Sequence, residues 1–283
     1  MQQRTLSCLG PSGFHKLAYR EWPGPAGAPT LLCVHGLTRN SRDFDAIASA
    51  LSDRYRVICP DMPGRGLSDN LPDPALYNST LYLSDLAALI ARLDVENLDW
   101  LGTSMGGLLG MMMAATPGAP IRRLVINDIG ARVAKVGLER IAAYVGLDPK
   151  FDTLDAHADA MAANFVGSDQ LARATILKLA EGASRKLPDG RYGLAYDPRI
   201  GDVFKANPPQ EVDLFPVWDR ITCPTLVLRG GVSDLLSAET ARAMTERGPR
   251  ARLVEFPGVG HAPWLAAPDQ IAPVREFLGP PRP

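Results

Sequence analysis

The sequence lacks any apolar run long enough to cross a bilayer. Its most apolar stretch, Met105–Ala115, is shorter than the roughly 20 residues that a spanning helix needs, and glycines interrupt it. The first residues, Met1–Trp22, carry scattered polar side chains and no apolar core of an export signal. We therefore expect a cytoplasmic protein with no membrane partner.

Basic tracts and paired cysteines are also missing. The formal net charge is -1 over 283 residues, which argues against a nucleic-acid partner. The four cysteines form no CxxC pair, and we expect buried, reduced thiols. No cluster of His and Cys has metal-ligand spacing, and no phosphate-binding loop is present. We therefore predict neither a metal nor an organic cofactor.

What the chain does contain is a repeating order of short apolar runs and amphipathic stretches. Such runs are typical of parallel strands covered on both faces, and the stretches between them predict connecting helices. Before this pattern, Leu6–Leu9 and Lys16–Trp22 flank a turn signal and predict a hairpin. The apolar runs are Thr30–Val34, Val57–Cys59, Leu98–Leu101, Leu124–Ile126, Thr225–Leu228 and Leu253–Phe256.

One interval, residues 131–220, breaks this order because it lacks a strong signal for parallel strands. Val133–Val145, Asp155–Phe165 and Asp169–Ala180 have the pattern of helices. The interval is as long as a small domain. We therefore predict an α/β core formed by residues 1–130 and 221–283, and a mainly helical cap formed by residues 131–220.

The strongest chemical motif is G-x-S-x-G, from Gly102 to Gly106, between an apolar run and a helical stretch. In this context the motif predicts a nucleophile elbow, in which Ser104 points out of a sharp strand-to-helix turn. The glycines are needed because neighbouring backbones approach closely there. The N–H of Met105, at the start of the following helix, is a candidate donor to an oxyanion.

A second candidate oxyanion donor is the backbone N–H of Leu37. It follows His35-Gly36, directly after the run Thr30–Val34. A glycine here allows a sharp turn at the carboxyl end of a strand. Two preorganised donors, Leu37 and Met105, would suit acyl transfer.

His261 is the candidate base among the four histidines. It lies in a Gly-rich loop after the last apolar run, where it could reach a serine on a neighbouring strand. For the acid that orients it we favour Asp234, because this gives the chain order Ser…Asp…His. Asp128, which closes the run Leu124–Ile126, remains the alternative acid.

These motifs, together with the D-x-P-G-x-G-x-S stretch Asp61–Ser68, resemble the α/β-hydrolase superfamily over almost the whole chain. The resemblance implies an eight-stranded, mostly parallel sheet and a lid inserted after the sixth strand. A serine at the elbow disfavours epoxide hydrolases and haloalkane dehalogenases, which use aspartate there. Ser104 followed by Met105-Gly106-Gly107 looks like small esterases and enol-lactonases.

We predict a serine hydrolase that cleaves a small carboxylic ester or lactone through an acyl-enzyme. The alternatives are a carbon–carbon bond hydrolase of ring-fission products, an acyltransferase or perhydrolase, and a non-catalytic ligand receptor. Phe44 and Trp264 flank catalytic positions and are candidate substrate contacts, although core packing explains them equally well. Arg39 is a candidate ligand for a substrate carboxylate, but we favour pairing with an acid such as Asp61.

Overall fold

The computed structural model describes residues 1–279, and its centre is an eight-stranded sheet in the order β1-β2-β4-β3-β5-β6-β12-β13. The strands β4, β3, β5, β6, β12 and β13 pair with one another in parallel, while the pairs β1–β2 and β2–β4 are antiparallel. This confirms the predicted α/β-hydrolase fold with its mostly parallel sheet. The sheet strands are β1 (Gln2–Gly10), β2 (Gly13–Trp22), β3 (Thr30–Val34), β4 (Arg56–Pro60), β5 (Leu98–Thr103), β6 (Ile121–Asn127), β12 (Thr225–Gly230) and β13 (Arg252–Phe256).

Helices cover both faces of the sheet, and the strands alternate between two cores with a period of two. Leu32 and Val34 on β3 face one core, while Leu31 and Cys33 face the other. The first core also holds buried side chains of α2, α3 and α9, and the second those of α1 and α10. The helices outside the region between β6 and β12 are α1 (Asp45–Leu51), α2 (Ser79–Leu93), α3 (Met105–Ala114), α9 (Ala238–Glu246) and α10 (Pro268–Leu278).

Side-chain caps fix several of these helix starts. Asn78 accepts a hydrogen bond from the N–H of Leu81 at the start of α2, and Ser237 accepts one from Thr240 at the start of α9. No helix within residues 1–279 combines the length and the apolar character that spanning a membrane requires.

The inserted segment, residues 131–220, lies between β6 and β12 and contains five helices and five very short strands. The predicted helices appear as α4, α5 and α6, although a 3-10 turn at Ser168–Gln170 delays the start of α6. Two small sheets, β8-β10-β9 and β7-β11, were not predicted, because strands of two or three residues carry no readable period. The elements are β7 (Arg132–Val133), α4 (Lys135–Tyr144), β8 (Lys150–Phe151), α5 (Leu154–Asn164), α6 (Arg173–Gly182), β9 (Ser184–Lys186), β10 (Tyr192–Leu194), α7 (Asp202–Ala206), β11 (Val212–Asp213) and α8 (Phe215–Trp218).

Candidate active site

Ser104 occupies a strained turn between β5 and α3. Its backbone angles, φ 52° and ψ −115°, lie where residues other than glycine are rarely found. The chain tolerates this turn because the flanking glycines allow close contacts. A Cβ at Gly106 would lie 1.9 Å from the carbonyl oxygen of Val34, and one at Gly102 would lie 2.1 Å from that of Gly106. The serine is thereby presented at the carboxyl edge of the sheet.

His261 joins Ser104 to an acid at the same edge. Its Nε2 lies 2.9 Å from the Oγ of Ser104, and its Nδ1 lies 2.8 Å from the Oδ2 of Asp128. Ser104 follows β5, Asp128 follows β6, and His261 lies in the loop after β13. They are far apart in sequence, and the parallel order of the sheet brings them together.

Asp128 is fully buried and accepts hydrogen bonds from three sources. Besides His261, the N–H of Gly230 donates to its Oδ1 at 2.7 Å and the hydroxyl of Ser233 to its Oδ2 at 2.6 Å. Because the carboxylate can only accept, the proton of the imidazole belongs on Nδ1. That tautomer turns the lone pair of Nε2 towards the hydroxyl of Ser104.

The expected pairing of Asp234 with His261 needs correction. Asp234 instead forms a bidentate ion pair with Arg140 on α4, with distances of 2.5 Å from Nε to Oδ2 and 2.9 Å from Nη2 to Oδ1. The hydrogen bonds of Arg140 hold the pKa of Asp234 below its ordinary value. The physical reason is that Arg140 draws this carboxylate towards the inserted segment, whereas Asp128 directly follows the strand next to that of Ser104.

The loop that carries Leu37 packs against Ser104. A Cβ at Gly36 would lie 3.6 Å from the Cβ of Ser104. His35 holds this loop from behind, because its Nδ1 donates to the carbonyl of Gly36 at 2.7 Å while its Nε2 accepts from the N–H of Met62 at 2.9 Å. Burial lowers the pKa of His35 to about 3, so the ring stays neutral. Met105 is the first residue of α3, where a backbone N–H has no acceptor within the helix.

Known proteins are similar to this chain in both sequence and architecture. Residues 31–274 match the model of the alpha/beta hydrolase family. The chain belongs to this family. A 3-hydroxybutyrate-oligomer hydrolase of Cupriavidus necator is 44% identical over 96% of each chain. An alpha/beta hydrolase structure from Novosphingobium aromaticivorans is 40% identical with a TM-score of 0.89 and covers 98% of this chain and 97% of its own. A structure from Rickettsia typhi is 32% identical with a TM-score of 0.90, covering 98% and 99% respectively.

The hydrolase has a cavity beside Ser104 and His261, of about 620 Å³ including the space open to solvent at its mouth. The structure places the three predicted substrate contacts, Arg39, Phe44 and Trp264, in its lining. Phe44 is nevertheless almost completely buried, and most of its surface belongs to the core around α1. Contact of these side chains with a substrate remains a prediction.

Arg39 pairs with an acid, as we favoured, but this acid is Asp43 and not Asp61. Its Nε lies 2.8 Å from Oδ2 of Asp43, and its Nη2 lies 2.6 Å from Oδ1. Asp61 instead accepts hydrogen bonds from the N–H groups of Ser41 and Leu67. Asp43 lies four residues after Arg39, and opposite charges at this spacing often pair in helical segments. This spacing was the signal in the sequence that could have identified Asp43 as the partner.

Sequence reasoning missed the part of the cavity that the inserted segment of this hydrolase provides. Ile141 and Tyr144 lie on α4, and Phe165 directly follows α5. Phe165 packs edge-on against Trp264, with ring centroids 4.7 Å apart. Periodicity predicts that α4 and α5 exist, but it does not predict how they lie against the loop that carries His261 and Trp264.

Three potential metal ligands meet elsewhere in the hydrolase. Cys8 and His15 are paired across β1 and β2, and the Nε2 of His15 lies 2.8 Å from the Oδ2 of Asp85 on α2. Burial, together with the charge of Asp85, raises the pKa of Cys8 to about 12. We interpret the group as a polar link between the hairpin and α2.

Proposed function

We propose that this hydrolase cleaves small carboxylic esters, with Ser104 as nucleophile, His261 as general base and Asp128 as the acid that orients it. The observation that supports this most strongly is the chain of hydrogen bonds from Ser104 through His261 to Asp128. Such an arrangement activates a serine hydroxyl at neutral pH. The assignment of Asp128 replaces the one that sequence order favoured.

The proposed cycle begins when Ser104 attacks the carbonyl carbon of the ester and His261 takes its proton on Nε2. The tetrahedral intermediate then collapses, and His261 gives this proton to the departing alcohol. A water molecule repeats the sequence on the acyl-enzyme, which releases the acid and restores the serine. Asp128 stabilises the cationic imidazole in both halves and does not itself exchange a proton.

The backbone N–H groups of Leu37 and Met105 are the proposed donors to the oxyanion. Leu37 lies in the loop that packs against Ser104 through Gly36, and Met105 begins α3, whose dipole favours negative charge at that end. Donors that are already oriented stabilise charge without reorganisation, and removal of one costs about 10²–10³ in rate. We also propose that residues 131–220 act as a cap, because Ile141, Tyr144 and Phe165 close one side of the cavity.

For the substrate we propose short oligomers of 3-hydroxybutyrate and related small esters. The support is the 44% identity, over nearly the whole chain, to the 3-hydroxybutyrate-oligomer hydrolase. The cavity suits this class because it combines apolar walls with a few polar groups, as small-ligand sites do.

The test measures hydrolysis of p-nitrophenyl butyrate and of the linear 3-hydroxybutyrate dimer by the wild type, Ser104→Ala and Ser52→Ala. Ser52 directly follows α1 and serves as the matched control, since its hydroxyl donates to the carbonyl of Ser49 and does not line the cavity. We expect Ser104→Ala to lower kcat by about 10⁴-fold or more and Ser52→Ala to leave it within a factor of two.

A serine-directed phosphonate should add one label per chain, at Ser104, as measured by peptide mass spectrometry. Retention of a tenth of the activity by Ser104→Ala would refute the proposal, as would labelling at another residue. A ring-fission product and a lactone belong in the same panel. Faster turnover of the ring-fission product than of every ester would assign the triad to carbon–carbon cleavage.

A further inference from the structure

Arg39 has more hydrogen-bond donors than the described residues satisfy well. A guanidinium carries five N–H groups, and Asp43 accepts from Nε and Nη2. Within residues 1–279, the hydrogen-bond partner of Nη1 is the sulfur of Met161 at 3.5 Å, and a thioether is a weak acceptor. One N–H on Nη2 and both on Nη1 therefore remain for a stronger acceptor.

The guanidinium is also held in a fixed orientation beside the catalytic residues. Its side chain is only 14% exposed, and it lines the same cavity as Ser104 and His261. Asp43 fixes one edge, while the indole of Trp264 lies under the guanidinium with its centroid 5.2 Å away. A preoriented, partly desolvated arginine binds an anion with little further loss of conformational freedom.

The positive charge of Arg39 remains effective around it despite the partner carboxylate. Burial acts to lower the pKa of Arg39, but Asp43 outweighs it and raises that pKa above its ordinary value, so the group stays charged. Burial lowers the pKa of His157, on α5, to about 4, and the charge of Arg39 adds to this effect. Arg39 therefore remains a cation in the lining of the cavity.

We propose that the free edge of Arg39 binds a carboxylate of the substrate, which makes the enzyme selective for esters that carry a free acid group. This inference rests on the proposed ester hydrolysis and specifies its substrate class. A linear 3-hydroxybutyrate oligomer ends in such a carboxylate, whereas its terminal amide or a simple alkyl ester does not. A carboxylate can accept from Nη1 and Nη2 together, and such charge-assisted pairs are stronger than neutral hydrogen bonds.

The experiment compares kcat/KM for the linear 3-hydroxybutyrate dimer and for its terminal carboxamide, which has nearly the same shape and no charge. For the wild type we expect a preference for the acid of about 10- to 100-fold. For Arg39→Gln we expect the ratio to fall to about one. The ratio is taken between two substrates of the same variant, so a general loss of activity cancels.

Arg42→Gln is the matched control, because Arg42 is a neighbouring arginine whose partners are Glu181 and Asp45 and which does not line the cavity. This variant should keep the wild-type ratio. A wild-type ratio near one would overturn the proposal, as would a ratio that persists in Arg39→Gln or one that Arg42→Gln lowers equally.

A binding measurement separates this inference from the proposed catalytic function. Calorimetric titration of Ser104→Ala with the dimer acid and with its carboxamide needs no turnover. We expect the acid to bind at least about tenfold more tightly, and the double variant Ser104→Ala/Arg39→Gln to bind both equally. Equal binding by Ser104→Ala itself would refute the role of Arg39, while absence of ester cleavage by the wild type would refute only the proposed reaction.

Discussion

Replacing Asp128 or Asp234 by asparagine separates the two candidate acids. In Asp128→Asn the side chain keeps its shape, and a carbonyl oxygen in the position of Oδ1 can still accept from the N–H of Gly230. The amide NH₂ takes the position of Oδ2, so the hydroxyl of Ser233 must turn to accept from it. The amide NH₂ then faces Nδ1 of His261, which must become an acceptor. The imidazole proton consequently moves to Nε2 and points at Ser104, so the base is lost.

The two variants should differ in kcat by several orders of magnitude. Inversion of the tautomer should lower kcat for p-nitrophenyl butyrate by about 10⁴-fold, which is a rise of about 5 kcal/mol in the activation barrier. Asp234→Asn breaks an ion pair whose side chains are 33% and 39% exposed, and such a pair contributes at most about 1 kcal/mol to stability. We expect its kcat to stay within threefold of the wild type.

The assay measures kcat and KM for both variants at neutral pH, with circular dichroism and urea unfolding to confirm that each is folded. Because Asp128 is fully buried, its variant should also lose about 1–3 kcal/mol of unfolding free energy. A hundredfold loss of kcat in Asp234→Asn, with near-normal turnover in Asp128→Asn, would show that our assignment of the acid is wrong.

Three further changes probe the elbow and a buried histidine. Gly106→Ala should cost more than about 3 kcal/mol of unfolding free energy, because its Cβ would lie 1.9 Å from the carbonyl oxygen of Val34; a urea midpoint equal to that of the wild type would contradict this. Ser104→Gly should unfold at higher temperature than Ser104→Ala by the equivalent of about 1 kcal/mol, since glycine relieves the strain at φ 52°. His157 has a folded-state pKa of about 4, below its ordinary 6.5, so the unfolded chain binds the proton first as the pH falls. The stability of the wild type relative to His157→Gln should therefore drop by about 1–2 kcal/mol between pH 7 and pH 5, and a constant difference would argue against the lowered pKa.

Much of the core was predictable because its signals are local. The runs that became β3, β5 and β12 are mostly apolar, as expected of central parallel strands that are buried on both faces. The elbow was predictable for a related reason, since its turn needs small residues at fixed positions on both sides of Ser104. These constraints act over a few residues, so the sequence displays them directly.

The choice of acid was not predictable because it depends on contacts between distant segments. Asp128 and Asp234 both follow strands at the carboxyl edge, and either position can serve a histidine on a nearby loop. What decides between them is Arg140, together with the donors Gly230 and Ser233 that enclose Asp128. The position of Arg140 relative to Asp234 follows from the way α4 packs, which helical periodicity does not specify.

The same reasoning explains why the cavity wall formed by the inserted segment was missed. The strand signals of β7 to β11 are only two or three residues long, and they fix the path of the chain between the helices. Without that path, Tyr144 and Phe165 are ordinary helix-end residues. Arg39 and Trp264 were found because each lies within three residues of a motif.

The ion pair between Arg140 and Asp234 also bears on how such enzymes diverge. The chain carries carboxylates at the ends of two neighbouring strands of the sheet, β6 and β12, one beside His261 and one engaged by Arg140 of the inserted segment. A descendant that loses Arg140 would free the second acid while the first still works. Relocation of the supporting acid between strands could thus proceed through sequences that remain active at every step.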